Sequence, residues 1–276
     1  MANPSKMNSL TKRTITALIL VPFVLSVLIV GNPMFEICVV LLGFLLAWEW
    51  ANMIPSKNKD LYLASYSFAV VVLVEYPKIW GFIIVALITA FVFIKARKEK
   101  KRFLLTLGVP YISIGLACLC WIYQDVGILF FLWVLFVVWG MDTGGYMVGS
   151  TLKGPKLMPK VSPNKTISGL IGGLVFAVLA GSLVVWYVES TYADVALNYI
   201  SDKEYLFIFK GVYVIMGLLA MLFGFISQMG DLVESAIKRN VGVKDTSGLI
   251  PGHGGVFDRI DALIFVAPFV YLWFKM

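Results

Sequence analysis

Charged side chains are scarce in this sequence. Only 14% of its 276 residues are Asp, Glu, Lys or Arg, whereas 60% are hydrophobic, and the mean hydropathy is +0.88. Soluble domains usually contain about a quarter charged residues, so the composition excludes an ordinary soluble protein. Apolar runs long enough to cross a hydrocarbon core of about 30 Å recur along the chain and leave no room for a separate soluble domain. The sequence therefore predicts an integral, multi-pass membrane protein.

Cysteine and histidine are almost absent. The three cysteines, Cys38, Cys118 and Cys120, lie in apolar stretches, and the chain contains one histidine. This set cannot build a disulfide framework or a Cys/His metal site, so we interpret the cysteines as packing residues. The net charge of +7 could indicate nucleic acid, but the basic residues lie in short loops between apolar segments. We therefore expect no nucleic acid, and anionic membrane lipids or a phosphorylated substrate as partners.

Apolar length divides the chain into about nine predicted transmembrane helices. They cover residues 14–30, 34–54, 61–75, 79–94, 103–122, 126–148, 167–188, 205–229 and 260–274. The third and fourth are short and could form a shallow hairpin. The predicted fold class is all-α, a polytopic transmembrane helix bundle. We expect one integrated membrane domain, with spans 1–4 in residues 1–102 and spans 5–9 in residues 103–276, the latter carrying the polar site.

Lysine and arginine are divided unevenly between the two sides of this bundle. With the N-terminus inside, 19 of the 23 basic residues fall in inner segments. The outer side keeps Lys78, Lys203, Lys210 and Lys275. Because positively charged loops remain cytoplasmic, the N-terminus is predicted inside and the C-terminus outside. The expected location is the inner or plasma membrane of the cell, with the polar inner segments facing the cytoplasm.

The first polar inner segment lies between spans six and seven. Asp142 falls within the apolar run, where an ionisable group is expensive, so a functional role is the default hypothesis. Hydrogen bonds to neighbouring glycine amides are the structural alternative. Ser162, Lys165 and Thr166 belong to a Ser-Pro-Asn-Lys-Thr stretch expected to open span seven, where helix-start amides, a lysine and hydroxyls would form a phosphate cradle. An ordinary capped helix start beside a topology-setting lysine explains this stretch equally well.

The second polar inner segment, between spans eight and nine, is denser in charge. Asp258 and Asp261 are three residues apart at the start of span nine, so a helix places both carboxylates on one face. Asp231, at the inner end of span eight, could meet them. Three converging carboxylates would repel one another unless they bind a cation. Mg²⁺ is the expected ion, because it prefers oxygen ligands and leaves room for substrate phosphates. A charge–dipole contact is the alternative for Asp258 and Asp261, but it does not explain Asp231. The surrounding basic residues are Lys238, Arg239, Lys244 and Arg259.

Three other ionisable residues, His253, Glu36 and Glu49, lie outside these two patterns. His253 is flanked by glycines, and Gly254 and Gly255 would let the backbone approach a ligand closely. A lone histidine in a loop is more often structural than catalytic, and both roles stay open for His253. Glu36 and Glu49 lie in apolar stretches at the two ends of span two, where solvation at the level of the lipid headgroups is the expected explanation.

The stretch SAIKRNVGVKDTSGLIPGHGGVFDRID resembles the signature of the phosphatidate cytidylyltransferases, or CDP-diacylglycerol synthases. Its fixed positions are filled by Ser235, Lys238, Arg239, Lys244, Asp245, His253, Gly254, Gly255, Asp258, Arg259 and Asp261. The upstream elements Gly230-Asp231, Asp142-Thr143 and Ser162-Pro163-x-Lys165-Thr166 resemble the family in the same order. One departure is Ser168-Gly169, where the family usually has an acidic residue before the glycine.

The resemblance implies that CTP and phosphatidic acid react to give CDP-diacylglycerol and pyrophosphate at the cytoplasmic face. The phosphatidate oxygen is already an anionic nucleophile, so this reaction needs charge neutralisation and in-line positioning. Mg²⁺ held by the three aspartates would bridge the phosphates, and a second cation could join it. The implied catalytic residues are Asp231, Lys238, Arg239, Lys244, Asp258, Arg259 and Asp261. The implied substrate-binding residues are Asp142, Ser162, Lys165, Thr166, Lys244, His253, Gly254 and Gly255.

Two other functions fit part of this pattern. A CTP-dependent membrane lipid kinase, similar to dolichol kinase, would attack a different phosphorus and release CDP instead of pyrophosphate. An ion or solute transporter could line its pathway with the aspartates, but such sites usually lie near the midplane between repeated halves. In this sequence the charges lie at one face and no repeat is evident. The oligomeric state is left open, with a homo-oligomer among the alternatives.

Overall fold

The computed structural model describes residues 9–76, 79–197, 202–250 and 254–276. Nine α-helices occur within these ranges: α1 (Ser9–Val30), α2 (Met34–Met53), α3 (Lys59–Glu75), α4 (Ile79–Lys95), α5 (Arg102–Trp121), α6 (Ile128–Leu152), α7 (Ile167–Leu197), α8 (Asp202–Val241) and α9 (Phe257–Lys275). Each predicted apolar segment coincides with one of these helices. The all-α fold class is confirmed, apart from one short two-stranded sheet.

Six helical segments in the described ranges are long and apolar enough to cross a membrane. They are Met34–Met53, Ile79–Lys98, Arg102–Val126, Ile128–Leu152, Ile167–Ala193 and Ile208–Val241. Helix α3 has only 17 residues, and α9 has three charged residues among its first five. The polytopic membrane fold is therefore confirmed, whereas the count of nine spans stays a prediction.

Contacts divide the chain into two compact units, each assembled from separate stretches of sequence. The first unit contains Met1–Cys120 and Ile237–Ile264, and the second contains Trp121–Ala236 and Phe265–Met276. Helices α8 and α9 contribute residues to both units. The division of the spans after residue 102 stays a prediction.

The first unit has an aromatic core around the C-terminal end of α2. Trp50 is fully buried, and its indole N–H donates to the carbonyl oxygen of Leu104 at 3.1 Å. The Trp50 ring also contacts Tyr111 and Phe257, with ring centroids 5.6 and 5.4 Å away. These contacts hold α2 against α5 and against the first residue of α9. The residue next to Trp50, which is Glu49, is thereby fixed at the start of α9.

The second unit is built on close packing of α6 against α7. A Cβ atom added at Gly144 would lie 2.5 Å from the Cβ of Phe176, and one added at Gly172 would lie 2.4 Å from the Cβ of Val148. Small residues allow helix backbones to approach this closely within a membrane. The predicted span ended at residue 148, whereas α6 continues to Leu152, and its glycines are used for helix packing.

A short antiparallel hairpin precedes α7 and corrects a second expectation. Strand β1 (Lys156–Met158) pairs with β2 (Ser162–Thr166), with Lys156 opposite Thr166 and Met158 opposite Ser162. The Ser-Pro-Asn-Lys-Thr stretch was expected to open span seven as a helix, but it is extended. Pro163 is compatible with the strand, because proline favours an extended conformation of the residue before it.

Helix α8 is longer than predicted. The apolar run ends near residue 229, but the helix continues to Val241 and reaches 40 residues. Asp231, Ser235 and Lys238 recur at intervals of four and three residues, so one helical face can remain polar where the apolar run has ended. Gly230 permits a close contact at this point, since a Cβ atom there would lie 2.5 Å from the Cβ of Phe265. The polar residues that follow the predicted span, from Gly230 onwards, therefore belong to α8 as far as Val241.

Candidate active site

The first polar cluster surrounds Asp258 in the first turn of α9. Lys238, in the last turn of α8, places its Nζ 2.7 Å from Oδ1 of Asp258, and the two side chains are only 11% and 6% exposed. Oδ2 of Asp258 accepts hydrogen bonds from the amide of Gly255 at 2.7 Å and from the amide and hydroxyl of Thr246 at 3.0 and 3.1 Å. One carboxylate thus joins the end of α8, the following loop and the start of α9.

The partners of Asp258 determine its charge. Burial by itself would raise the pKa of this carboxyl. The hydrogen bond and positive charge of Lys238, together with the amides of Gly255 and Thr246, outweigh burial and hold the pKa below the ordinary value of 3.8. Asp258 is therefore ionised at neutral pH. A buried ammonium–carboxylate pair of this kind can bind a phosphate through the lysine or a cation through the aspartate.

Asp261 lies one turn after Asp258 on α9 and is also buried. The two carboxylates occupy one helical face, as their spacing predicted. The other basic residues of the signature, Arg239, Lys244 and Arg259, are exposed. Arg239 donates to the carbonyl oxygen of Val243 at 3.0 Å. Their proposed contacts with substrate stay predictions.

Two glycines and a histidine complete the predicted loop. Gly254 has a φ of +87°, in the left-handed region that favours glycine. Gly255 is buried against the Asp258 cluster. His253 lies outside the described residues, and its role stays a prediction.

The second polar cluster lies in the other unit and contains Lys165 and Asp231. The ammonium of Lys165, on β2, forms an ion pair with Oδ2 of Asp231 on α8. Ser235, one turn further along α8, has its hydroxyl 3.4 Å from Oδ1 of the same aspartate. The two charged side chains are partly exposed, at 22% for Lys165 and 28% for Asp231. From the sequence, Lys165 was predicted to bind a phosphate and Asp231 to bind a metal ion. Their ion pair was not predicted.

The other predicted residues of this unit have different surroundings. Thr166 is buried, and its hydroxyl accepts a hydrogen bond from the amide of Gly169 at 3.1 Å, which makes it the N-cap of α7. Ser162 is half-buried on β2. Asp142 is exposed within α6, in the apolar run where the sequence placed it. The capped-helix interpretation therefore accounts for Thr166, and the substrate contacts of Ser162 and Asp142 stay predictions.

The predicted metal site can be compared with these positions. In the described ranges, no group of three or more His, Cys, Asp or Glu side chains is placed so that it could hold a metal ion. Convergence of Asp231 with Asp258 and Asp261 therefore stays a prediction. The donor chemistry still fits Mg²⁺, because this ion is usually held by one or two carboxylates together with substrate phosphates. Asp258 and Asp261 supply two such carboxylates.

Glu49 is the residue of this site that sequence reasoning missed. The expected solvation among lipid headgroups is wrong, because the side chain is completely buried. Its carboxylate accepts hydrogen bonds from the backbone amides of Val256 and Phe257 at 2.8 and 2.7 Å. The signal was present, since Glu49 is an ionisable residue in an apolar span, the same observation that drew attention to Asp142.

Comparison with known proteins adds to this geometry. The sequence profile of the Cytidylyltransferase family matches residues 11–276. The chain is 34% identical over 239 residues to a phosphatidate cytidylyltransferase of Bacillus subtilis (strain 168), covering 84% of this chain and 76% of that protein. It is 31% identical over 272 residues to the protein of the same name from Staphylococcus aureus (strain COL), covering 93% and 95%. The chain therefore belongs to the cytidylyltransferase family.

Proposed function

We propose that this protein is a phosphatidate cytidylyltransferase, a membrane nucleotidyltransferase that converts CTP and phosphatidic acid into CDP-diacylglycerol and pyrophosphate. The Asp258 cluster carries the proposal, because it brings a buried ammonium, an ionised carboxylate and the amide of Gly255 together within one signature segment. The names of the two relatives and the membrane fold support the same lipid substrate. A transporter explains neither the signature nor the family.

The chemistry of this reaction suits the residues present. An oxygen of the phosphatidate monoester attacks the α-phosphorus of CTP, a new P–O bond forms, and the bond to pyrophosphate breaks. The attacking oxygen is already an anion, so the protein need not supply a nucleophile. Its task is to position two polyanions and to stabilise the charge of the transition state. Lys238, held by Asp258, provides a fixed positive charge for that purpose.

A divalent cation belongs to the same proposal. Asp258 and Asp261 would hold Mg²⁺, with Asp231 as a third ligand, and a second cation could join it. When bound, Mg²⁺ would neutralise charge on the triphosphate. The exposed basic residues Lys244, Arg239 and Arg259 would bind substrate phosphates. Lys165 would release the carboxylate of Asp231 and contact a substrate phosphate instead. The other residues proposed to bind substrate are Asp142, Ser162, Thr166, His253, Gly254 and Gly255.

A labelling experiment tests the reaction and separates it from a lipid kinase. The purified protein in detergent is incubated with phosphatidic acid, Mg²⁺ and CTP labelled either at the α- or at the γ-phosphorus. We expect the α-label in a lipid product and the γ-label in pyrophosphate, and no lipid product without phosphatidic acid. Lipid that carries the γ-label would identify a CTP-dependent kinase instead.

We further propose that the site faces the cytoplasm, because CTP is cytoplasmic and the inner segments hold most of the positive charge. A reporter enzyme that is active only outside the cytoplasm should work when fused after Met276. It should be silent when inserted at Met158, in the hairpin before α7. Activity at residue 158, or silence at residue 276, would show that the order of spans is wrong.

A further inference from the structure

Glu49 caps the start of α9 from a distant part of the chain. The first amides of a helix have no partner within the helix and need acceptors from elsewhere. Oε1 of Glu49 accepts from the amide of Val256, and Oε2 accepts from the amide of Phe257. The carboxylate lies where the helix dipole favours negative charge. A residue of α2 thus meets the requirement that a local side chain would ordinarily meet.

The same carboxylate also holds the loop between α8 and α9. The hydroxyl of Ser247 lies 2.5 Å from Oε1 of Glu49, and the hydroxyl of Thr246 lies 3.3 Å from Oε2. Thr246 in turn donates its backbone amide to Asp258. Thr246 is therefore a direct link between Glu49 and the carboxylate that pairs with Lys238.

Gly255 shows how tightly this arrangement is packed. A Cβ atom at Gly255 would lie 2.0 Å from the hydroxyl oxygen of Thr246 and 2.6 Å from Oε1 of Glu49. Both distances are far below van der Waals contact, so no side chain fits there. The loop, Glu49 and the start of α9 thus have one close-packed arrangement, and the position of the Asp258 carboxylate depends on it.

We propose that Glu49 is a positioning residue of the active site. It fixes Thr246 and the first turn of α9, and so keeps Asp258 and Lys238 in the geometry that the transferred phosphates require. This role rests on the proposed function, since it acts through the residues assigned to the reaction. Glu49 acts on the reaction through these residues.

The hydrogen-bond chemistry specifies a carboxylate at this position. The two oxygens each face a backbone N–H donor, so both must be acceptors. A glutamine offers only one acceptor, and its amide NH₂ would face one of these donors. An aspartate keeps two acceptors but is one methylene shorter. The three side chains therefore predict a graded series of activities.

The experiment compares Glu49→Gln and Glu49→Asp with Glu36→Gln, which neutralises the other acid of α2 away from this loop. Steady-state kcat and KM for CTP are measured per folded protein, well below the melting temperature of each variant. We expect Glu49→Gln to lower kcat roughly 10- to 100-fold, because small displacements of catalytic groups have effects of this size. The KM for CTP should change less than about threefold, Glu49→Asp should recover part of kcat, and Glu36→Gln should match the wild type.

Hydrogen exchange of the peptide covering residues 254–261 gives a readout that does not depend on activity. Exchange there should be faster in Glu49→Gln, while peptides of α3 and α4 remain unchanged. Wild-type kcat in Glu49→Gln, or unchanged exchange in this peptide, would overturn the proposal. The proposal would also be overturned if the loss of activity in each variant were proportional to its unfolded fraction. Failure of the wild type to form the lipid product would instead refute the proposed function, and the exchange result would still decide whether Glu49 holds α9.

Discussion

Replacing Asp258 by asparagine is expected to reduce kcat/KM for CTP by about 100- to 1,000-fold while the protein remains folded in detergent. Asparagine has nearly the same shape, but it carries no charge and replaces one acceptor oxygen by an NH₂ group. The ammonium of Lys238 would lose its buried counter-ion, and a proposed Mg²⁺ ligand would be weakened. Loss of one preorganised charged group at a reacting phosphate typically has an effect of this size. Asp261→Asn is expected to act in the same direction.

Asp60→Asn is the matched control, because Asp60 is an exposed acid in the first turn of α3. It removes the same charge from a helix start without touching the Asp258 cluster, so kcat/KM should not change. Turnover is measured over a range of Mg²⁺ concentrations, with melting temperature and gel filtration as tests of folding. Near-normal turnover of Asp258→Asn at low Mg²⁺ would mean that Asp258 only stabilises the start of α9.

Lys165→Gln is expected to lower kcat/KM for CTP or phosphatidic acid by about 30- to 1,000-fold. The side chains of Lys165 and Asp231 are both partly exposed. A substrate phosphate can therefore reach Lys165 and replace the carboxylate of Asp231 as its partner. Loss of a charge-assisted hydrogen bond to phosphate in a partly dry site corresponds to roughly 2–4 kcal/mol of transition-state stabilisation. That energy gives the stated range of rates. Normal membrane insertion must be confirmed in parallel.

Two further variants distinguish phosphate binding by Lys165 from two other roles, orientation of the loop and neutralisation of Asp231. Lys160→Gln removes the same charge from the exposed turn between β1 and β2, and should have little effect. If Lys160→Gln and Lys165→Gln have equal, small effects, Lys165 contributes only positive charge that orients the loop. Recovery of activity in the double variant Lys165→Gln, Asp231→Asn would show that Lys165 only neutralises Asp231. If Lys165 contacts substrate and Asp231 binds the metal ion, the double variant stays impaired.

The helices could be predicted from the sequence because apolar length is a property of consecutive residues. The ends of the helices were less accurate. Helix α6 ends at Leu152 instead of residue 148, and α8 ends at Val241 instead of residue 229. A helix can keep polar residues on one face after its apolar run has ended. The hairpin before α7 was missed because a proline such as Pro163 is also common in the first turn of a helix.

In the candidate site, features set by neighbouring residues could be predicted, whereas contacts between distant residues could not. The signature from Ser235 to Asp261 was recognisable because its residues lie at fixed spacing in one short segment. The pairs Asp258–Lys238 and Asp231–Lys165 were not specified by that spacing, since several basic residues were equally plausible partners. Glu49 was missed because its partners Val256 and Phe257 follow it by more than 200 residues.

A fragment that begins at residue 54 would contain every residue of the signature and yet lack the carboxylate that caps α9. The signature is therefore not a self-contained cassette, even though it is contiguous in sequence. A chimaera that joins this C-terminal half to the N-terminal spans of a relative would need an acidic residue at the position of Glu49. The N-terminal half, which carries no recognisable motif, would then limit which halves can be exchanged.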